Sequence, residues 1–209
     1  MGSRPSLTAV RAASVVVVLV AIVAQAVVLL QNDRFDATRF FAFFTIQSNL
    51  VGVAAFLWLL RIEARPRSRA LELLRGAAAL YLTVTFFVVI LLLSNVDVQL
   101  GLVWVDVVLH KIFPIVVVLD WIVDPPTTRL SGRDALIWLA YPLIWTGLTV
   151  LRGAVDGWYP YPFLDPANGG YGQVAVTAVA ITIGFVLLAL VLVAIGNARR
   201  RAVDGGAPG

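Results

Sequence analysis

An all-helical membrane protein, six spans in one bundle, is what this sequence predicts, and three observations predict it. Of its 209 residues 60% are hydrophobic and 13% charged, where a soluble domain has about a quarter charged. The mean hydropathy is +0.92. Apolar runs of roughly 20 residues, each long enough to cross a bilayer as a helix, recur along the chain. A soluble core of this size could not hide so much apolar surface. In hydrocarbon each backbone N–H and C=O must be paired, and runs this continuous achieve that as helices rather than as alternating barrel strands.

The spans fall at residues 12–31, 40–60, 76–94, 100–123, 135–151 and 173–196. The first follows Arg4 and Arg11 and contains Ala24-Gln25-Ala26, which looks like a secretory cleavage site. Its apolar run continues through Leu30, beyond that site, so the reading is a retained helix. Connections are mostly short, and residues 1–201 form a single domain. The small, Gly/Pro-rich stretch from Ala202 to Gly209 reads as a disordered tail. No internal repeat is visible, which argues against a secondary transporter.

Arginine placement orients the bundle, because short cytoplasmic loops retain basic residues. One side has Arg4, Arg11, Arg61, Arg65, Arg67, Arg69, Arg75, Arg129, Arg133, Arg199, Arg200 and Arg201; the other has Arg34, Arg39 and Arg152. Both termini are therefore expected in the cytoplasm. The net charge of +4 reflects this asymmetry and an attraction to anionic lipid heads, so the expected partners are membrane lipids and not nucleic acid. Fifteen arginines against one lysine suggest a GC-rich bacterial genome. Zero cysteines and one histidine exclude disulfides, thiolate metal sites and a bis-histidine haem within one chain, and no metal or cofactor is expected.

An ionisable side chain at bilayer depth costs at least ~2.5–3.5 kcal/mol, so it usually faces the bundle interior and has a task. The fourth span has Asp106, His110, Lys111 and Asp120. Asp106 and His110 lie four apart on one helix face, where the carboxylate can hold the imidazole in one tautomer. Pro114, four further on, cannot donate to the His110 carbonyl and should kink the helix there. Lys111 has no acid among its helical-face neighbours, so its counter-ion is expected from another helix or from a ligand carboxylate.

The second span presents Thr45, Ser48, Asn49 and Gly52 on one face. At about 1.5 Å per residue, Thr45 lies about 8 Å deep and His110 about 15 Å, close enough for the two to meet in the outer half. Small polar groups of this kind also serve as helix-to-helix contacts, and both readings stand. The fifth span offers Tyr141 and Trp145, four apart, as cavity lining or as plain packing, with Pro142 bending the helix. The loop from Arg152 through Trp158-Tyr159-Pro160-Tyr161-Pro162-Phe163-Leu164 to Asp165 fits an aromatic belt at the headgroups. It also fits a lid at an outer-leaflet entrance, with Tyr159 and Tyr161 against substrate and Arg152 holding a carboxylate or phosphate.

Three segments together carry a resemblance: Phe44-Thr45-Ile46-Gln47-Ser48-Asn49-Leu50, His110-Lys111-Ile112-Phe113-Pro114, and the Trp158 to Leu164 loop. They resemble a bacterial, mostly actinobacterial, six-helix membrane family. That family is similar in turn to the androgen-induced-gene family of eukaryotes, whose members hydrolyse fatty acid esters of hydroxy fatty acids. The resemblance implies an enzyme of the bacterial cytoplasmic membrane that takes a lipid ester from the bilayer. Thr45 and His110 stand where that family has its functional threonine and histidine, and Ser48 is a second hydroxyl nearby. In that reading Thr45 attacks the acyl carbonyl, His110 takes its proton, Asp106 orients His110, and Asn49 or nearby backbone N–H groups stabilise the oxyanion. The alternative is a non-catalytic protein that binds a lipid or a partner subunit in the same cavity, with Lys111 and Arg152 reading an anionic headgroup. A channel ranks last, because the inner half of the spans shows little polar material apart from Asp120.

Overall fold

A computed structural model describes residues 5–62, 65–93 and 102–205. Their ordered elements are helices: α1 (Pro5–Gln31), α2 (Ala37–Phe40), α3 (Phe44–Ile62), α4 (Arg69–Leu92), α5 (Val103–Val107), a π-helical turn (Val108–Ile112), α6 (Phe113–Val123), α7 (Gly132–Asp156) and α8 (Gly170–Gly205), with two 3₁₀ turns between α7 and α8. Helices α1, α3, α4, α7 and α8 are each long and apolar enough to cross a membrane. The sixth rod is composite, with α5, the π turn and α6 following one another without a break. It covers about 30 Å at about 1.5 Å per residue.

Successive rods run in opposite directions, as the cross-links at the two ends require. At one end Arg11 meets Asp120, Arg69 meets Asp134, and Asn197 bonds Leu130. At the other, Arg152 meets Thr38 and His110 meets Thr45. Helix α4 lies at the centre, with Ala78, Ala79, Leu80 and Leu82 fully buried. Its Gly76 admits the Trp138 ring so closely that a Cβ there would lie 2.0 Å from Trp138 Cζ2. The perimeter is aliphatic and exposed, including Val16 and Val23 on α1, Leu136 and Leu148 on α7, and Val176 and Val179 on α8. Such a surface suits hydrocarbon rather than water.

Two boundaries differ from the sequence reading in ways that change what a segment does. The second span begins at Phe44, because Phe40 belongs to α2 and residues 41–43 form the turn after it. Asp36 caps α2, accepting from Thr38 N–H at 2.8 Å and Arg39 N–H at 3.1 Å; the Thr38 hydroxyl and the Arg39 amide hold its carboxyl below the usual range. The carbonyls exposed by the turn are met from outside, Phe41 O by Gln47 Nε2 at 2.6 Å and Ala42 O by Trp145 Nε1 at 3.0 Å. The last helix continues to Gly205, so the stretch read as a disordered tail is helical from Ala202 to Gly205. The rest of that stretch, Arg4, and the junction of the third and fourth spans lie outside the described residues.

The inner half is far from apolar. Arg11 Nε donates to Asp120 Oδ1 at 2.7 Å, Arg75 reaches Asp120 Oδ2 at 3.0 Å and Glu72 Oε2 at 2.9 Å, and Arg11 and Arg67 both pair with Asp124. Glu72 Oε1 also accepts from the Thr127 amide and hydroxyl, both at 2.9 Å. Arg11, Arg67 and Arg75, which as loop arginines only orient the chain, thus fasten α1, α4 and α6 together.

Candidate active site

At the opposite end, α3 and the composite rod bring Thr45 and His110 together. His110 Nε2 lies 3.2 Å from Thr45 Oγ1, and His110 Nδ1 lies 2.7 Å from Asp106 Oδ1. Thr45 and His110 are 7% and 5% exposed, so both are screened from bulk water yet not sealed in. A carboxylate only accepts, so the proton between Asp106 and His110 sits on Nδ1. In the tautomer with that proton on Nδ1 and none on Nε2, Nε2 accepts the Thr45 hydroxyl proton.

The π turn explains the local geometry. Phe113 N–H donates to Val108 O, five residues back, and Pro114 has no N–H. The orphaned carbonyl is therefore that of Leu109, where a regular helix would have orphaned that of His110. Asn49 Nδ2 supplies the missing donor at 3.2 Å and gives its other proton to Thr45 O at 2.8 Å. Asn49 is thus a clamp between α3 and the π turn, and with both amide protons engaged it is not free to meet an oxyanion. Its Oδ1 is buried without a partner.

The same wide turn supplies the counter-ion of Lys111. Asp106 lies five residues before it, a spacing that a π turn brings onto one face. Lys111 Nζ stands 3.6 Å from Asp106 Oδ2, so no other helix and no ligand is required. Ser48 points away from His110, bonding Thr45 O at 3.0 Å and the Thr85 hydroxyl at 3.2 Å. It is fully buried, lines neither of the two cavities that meet at Thr45, and acts as a helix contact.

Two cavities meet at Thr45. A vestibule of about 750 Å³ is lined by Gln25, Thr45, His110, Tyr159 and Tyr161, with Arg39 and Asp165 among its charged residues. A narrow slot of about 60 Å³ is apolar, walled by Val88, Trp145, Ile181 and Phe185 beside Thr45 and Tyr161. Tyr141 lines neither cavity; it packs on Tyr81, its ring centroid 5.5 Å away, and donates to Gln47 Oε1. Arg152 is engaged within the chain, by Asp156 at 3.0 Å, Thr38 O at 3.1 Å and Thr38 Oγ1 at 3.0 Å. It and Arg39 each lie 5.4 Å from the Trp158 ring centroid, which pins the loop.

That loop carries Tyr161 inward. Its hydroxyl oxygen lies 3.4 Å from Thr45 Oγ1 and accepts from Thr45 N–H at 3.3 Å. Sequence reading placed Tyr161 at a lid and passed over Gln25, a buried glutamine on α1 that lines the vestibule with its Oε1 unpartnered. The signal for Gln25 was present: it is a lone amide in the middle of a valine-rich run. No protein-family model, curated protein or solved structure matches this chain.

Proposed function

We propose that this protein is an intramembrane hydrolase of lipid esters, with Thr45 as nucleophile, His110 as general base and Asp106 as the group that orients His110. The observation that carries this reading is the unbroken chain Asp106, His110, Thr45, with contacts of 2.7 and 3.2 Å, ending at two cavities of opposite character. This is the division of labour of any base-activated hydroxyl. The narrow apolar slot suits an acyl chain, and the vestibule suits the alcohol half and the water that releases the acyl group. Membrane lipid is the source of substrate, and the arginine-rich end faces the cytoplasm of a bacterial cell. The non-catalytic alternative is weakened by its own anchors, because Lys111 and Arg152 are both paired within the chain.

The test is hydrolysis of a fluorogenic lipid ester by the full chain in liposomes, together with labelling by an alkyl fluorophosphonate. Wild type and the exposed-surface variant Arg129→Ala should turn over and be labelled at Thr45; Thr45→Ala and His110→Ala should do neither. Equal turnover in all four proteins would exclude Thr45 and His110 from the chemistry.

A further inference from the structure

We infer that Tyr161 is a further catalytic residue, the donor that stabilises the ester's carbonyl oxygen as it becomes an oxyanion; this rests on the Thr45 and His110 reading above. Proton positions lead to it. Thr45 has one hydroxyl proton, and that proton is directed at His110 Nε2, 3.2 Å away. The 3.4 Å contact between Thr45 Oγ1 and the Tyr161 hydroxyl is then closed by the proton of Tyr161. A base and a donor therefore converge on the same nucleophilic oxygen, and with Asn49 engaged on two carbonyls the donor role falls to the tyrosine. The Thr45 N–H, donating to the phenol oxygen at 3.3 Å, polarises the O–H and makes it a stronger donor.

The hydroxyl is held in place before any substrate arrives, which is what makes such a donor effective. The Tyr161 ring stacks on Phe163 with centroids 5.2 Å apart, and meets Phe43 edge-on at 5.8 Å and Trp145 at 6.0 Å. Pro160 and Pro162 flank it and restrict the backbone. Burial pushes the phenol above its usual range, against the opposing pull of its bonds with Thr45, so it stays protonated at neutral pH. Tyr161 and Thr45 each border both cavities, so an ester lying across the two passes its carbonyl beside the hydroxyl.

The reaction balances with Tyr161 keeping its proton throughout. Thr45 Oγ bonds to the acyl carbon, its proton moves to His110 Nε2, and the carbonyl π pair moves onto oxygen, where Tyr161 donates a hydrogen bond. When that pair returns, the bond to the alcohol oxygen breaks, and His110 gives the leaving alkoxide its proton. Water then adds to the acyl-threonine, with His110 again taking and returning one proton, and the fatty acid departs.

The experiment is Tyr161→Phe in the full chain in liposomes, which removes the hydroxyl and keeps the ring packing. With the fluorogenic ester, kcat should fall about 10²–10³-fold, the usual loss for one oxyanion donor, while KM holds. Inhibition by an alkyl trifluoromethyl ketone, whose threonine adduct carries the oxyanion, should weaken by a similar factor. Retained kcat in Tyr161→Phe while Thr45→Ala is dead would overturn the assignment to Tyr161 alone. A loss of kcat with unchanged ketone inhibition would do the same, by making the hydroxyl merely structural. An inactive, unlabelled wild type would bring down the hydrolase reading and this assignment together. If the phenylalanine variant does not fold, Tyr161→3-fluorotyrosine keeps the shape while strengthening the acid: tighter ketone inhibition supports the donor role and unchanged inhibition overturns it.

Discussion

Two buried polar clusters sit at opposite ends of one bundle, and they are built on opposite rules. At the arginine-rich end three guanidinium groups, of Arg11, Arg67 and Arg75, face three carboxylates, of Glu72, Asp120 and Asp124. Spare acceptor capacity is taken by Thr127 and the Arg75 face lies over Trp121, 5.5 Å from the ring centroid. At the other end one imidazole, one threonine and one tyrosine make looser contacts of 3.2 to 3.4 Å and stand beside open volume. A charge-matched, closed network has nothing left to offer a ligand and serves as a fastening. A partly open chain that ends at a cavity has an imidazole, a hydroxyl and a phenol to offer, the three groups the proposed hydrolysis would use.

The largest effect that would break this contrast is at the open end. Thr45→Ala or His110→Ala should lower ester turnover by at least ~10⁴-fold and leave the thermal unfolding of the bundle nearly unchanged; a matching loss of stability would make the open end structural too. Next in size, Asp120→Ala removes a carboxylate shared by Arg11 and Arg75, leaves the buried network one positive charge in excess, and should cost about 3–5 kcal/mol, read by denaturant unfolding in detergent. Asn49→Leu, between the two classes, leaves the Leu109 carbonyl without its side-chain donor and removes one of the two side-chain donors to Thr45 O. It should cost about 1–3 kcal/mol and slow turnover as well, because the π turn that presents His110 loses its clamp.

Acid sharpens the comparison further. Burial alone would raise the Asp124 carboxyl, but Arg75, Arg11 and Arg67 outweigh it and hold it below its ordinary value of 3.8. A depressed carboxylate contributes stability that is complete above that ordinary value and is lost as pH falls through the lower folded-state value. Acid titration should therefore release the arginine-rich end only below pH 3.8, seen as a change in fluorescence of the buried Trp121. The smallest effect on turnover, none, is expected for Ser48→Ala, which should cost about 0.5–1.5 kcal/mol for each of its two hydrogen bonds, since its hydroxyl bonds Thr45 O and Thr85 and lines neither cavity at Thr45. A large loss of turnover would return Ser48 to the chemistry.

The helical class and the long apolar helices were legible in the sequence because both follow from local runs, where burial in hydrocarbon forces each backbone to pair within itself. The Asp106 and His110 pairing was legible for the same reason, being an i,i+4 contact. The partner of Lys111 was not. Helical-wheel counting assumes a regular turn, and the π turn at Val108–Ile112 moves position five onto the face where position four is expected. Arg11, Arg75 and Asp120 were visible one at a time, but their meeting spans over a hundred residues of chain, and periodicity has no information about which helix lies beside which.

Composition and period alone were thus enough for the class of the fold and for the list of polar groups that hydrocarbon would not tolerate unpaired. Which of those groups found one another was decided by packing in three dimensions. The turn at residues 41–43 starts α3 at Phe44, the π turn swings His110 toward Thr45, and the loop pinned by Arg152 lowers Tyr161 between the two cavities. The physical reason is range: backbone pairing is satisfied within a few residues, whereas a hydroxyl, an imidazole and a phenol from three distant segments converge only after the whole bundle has closed.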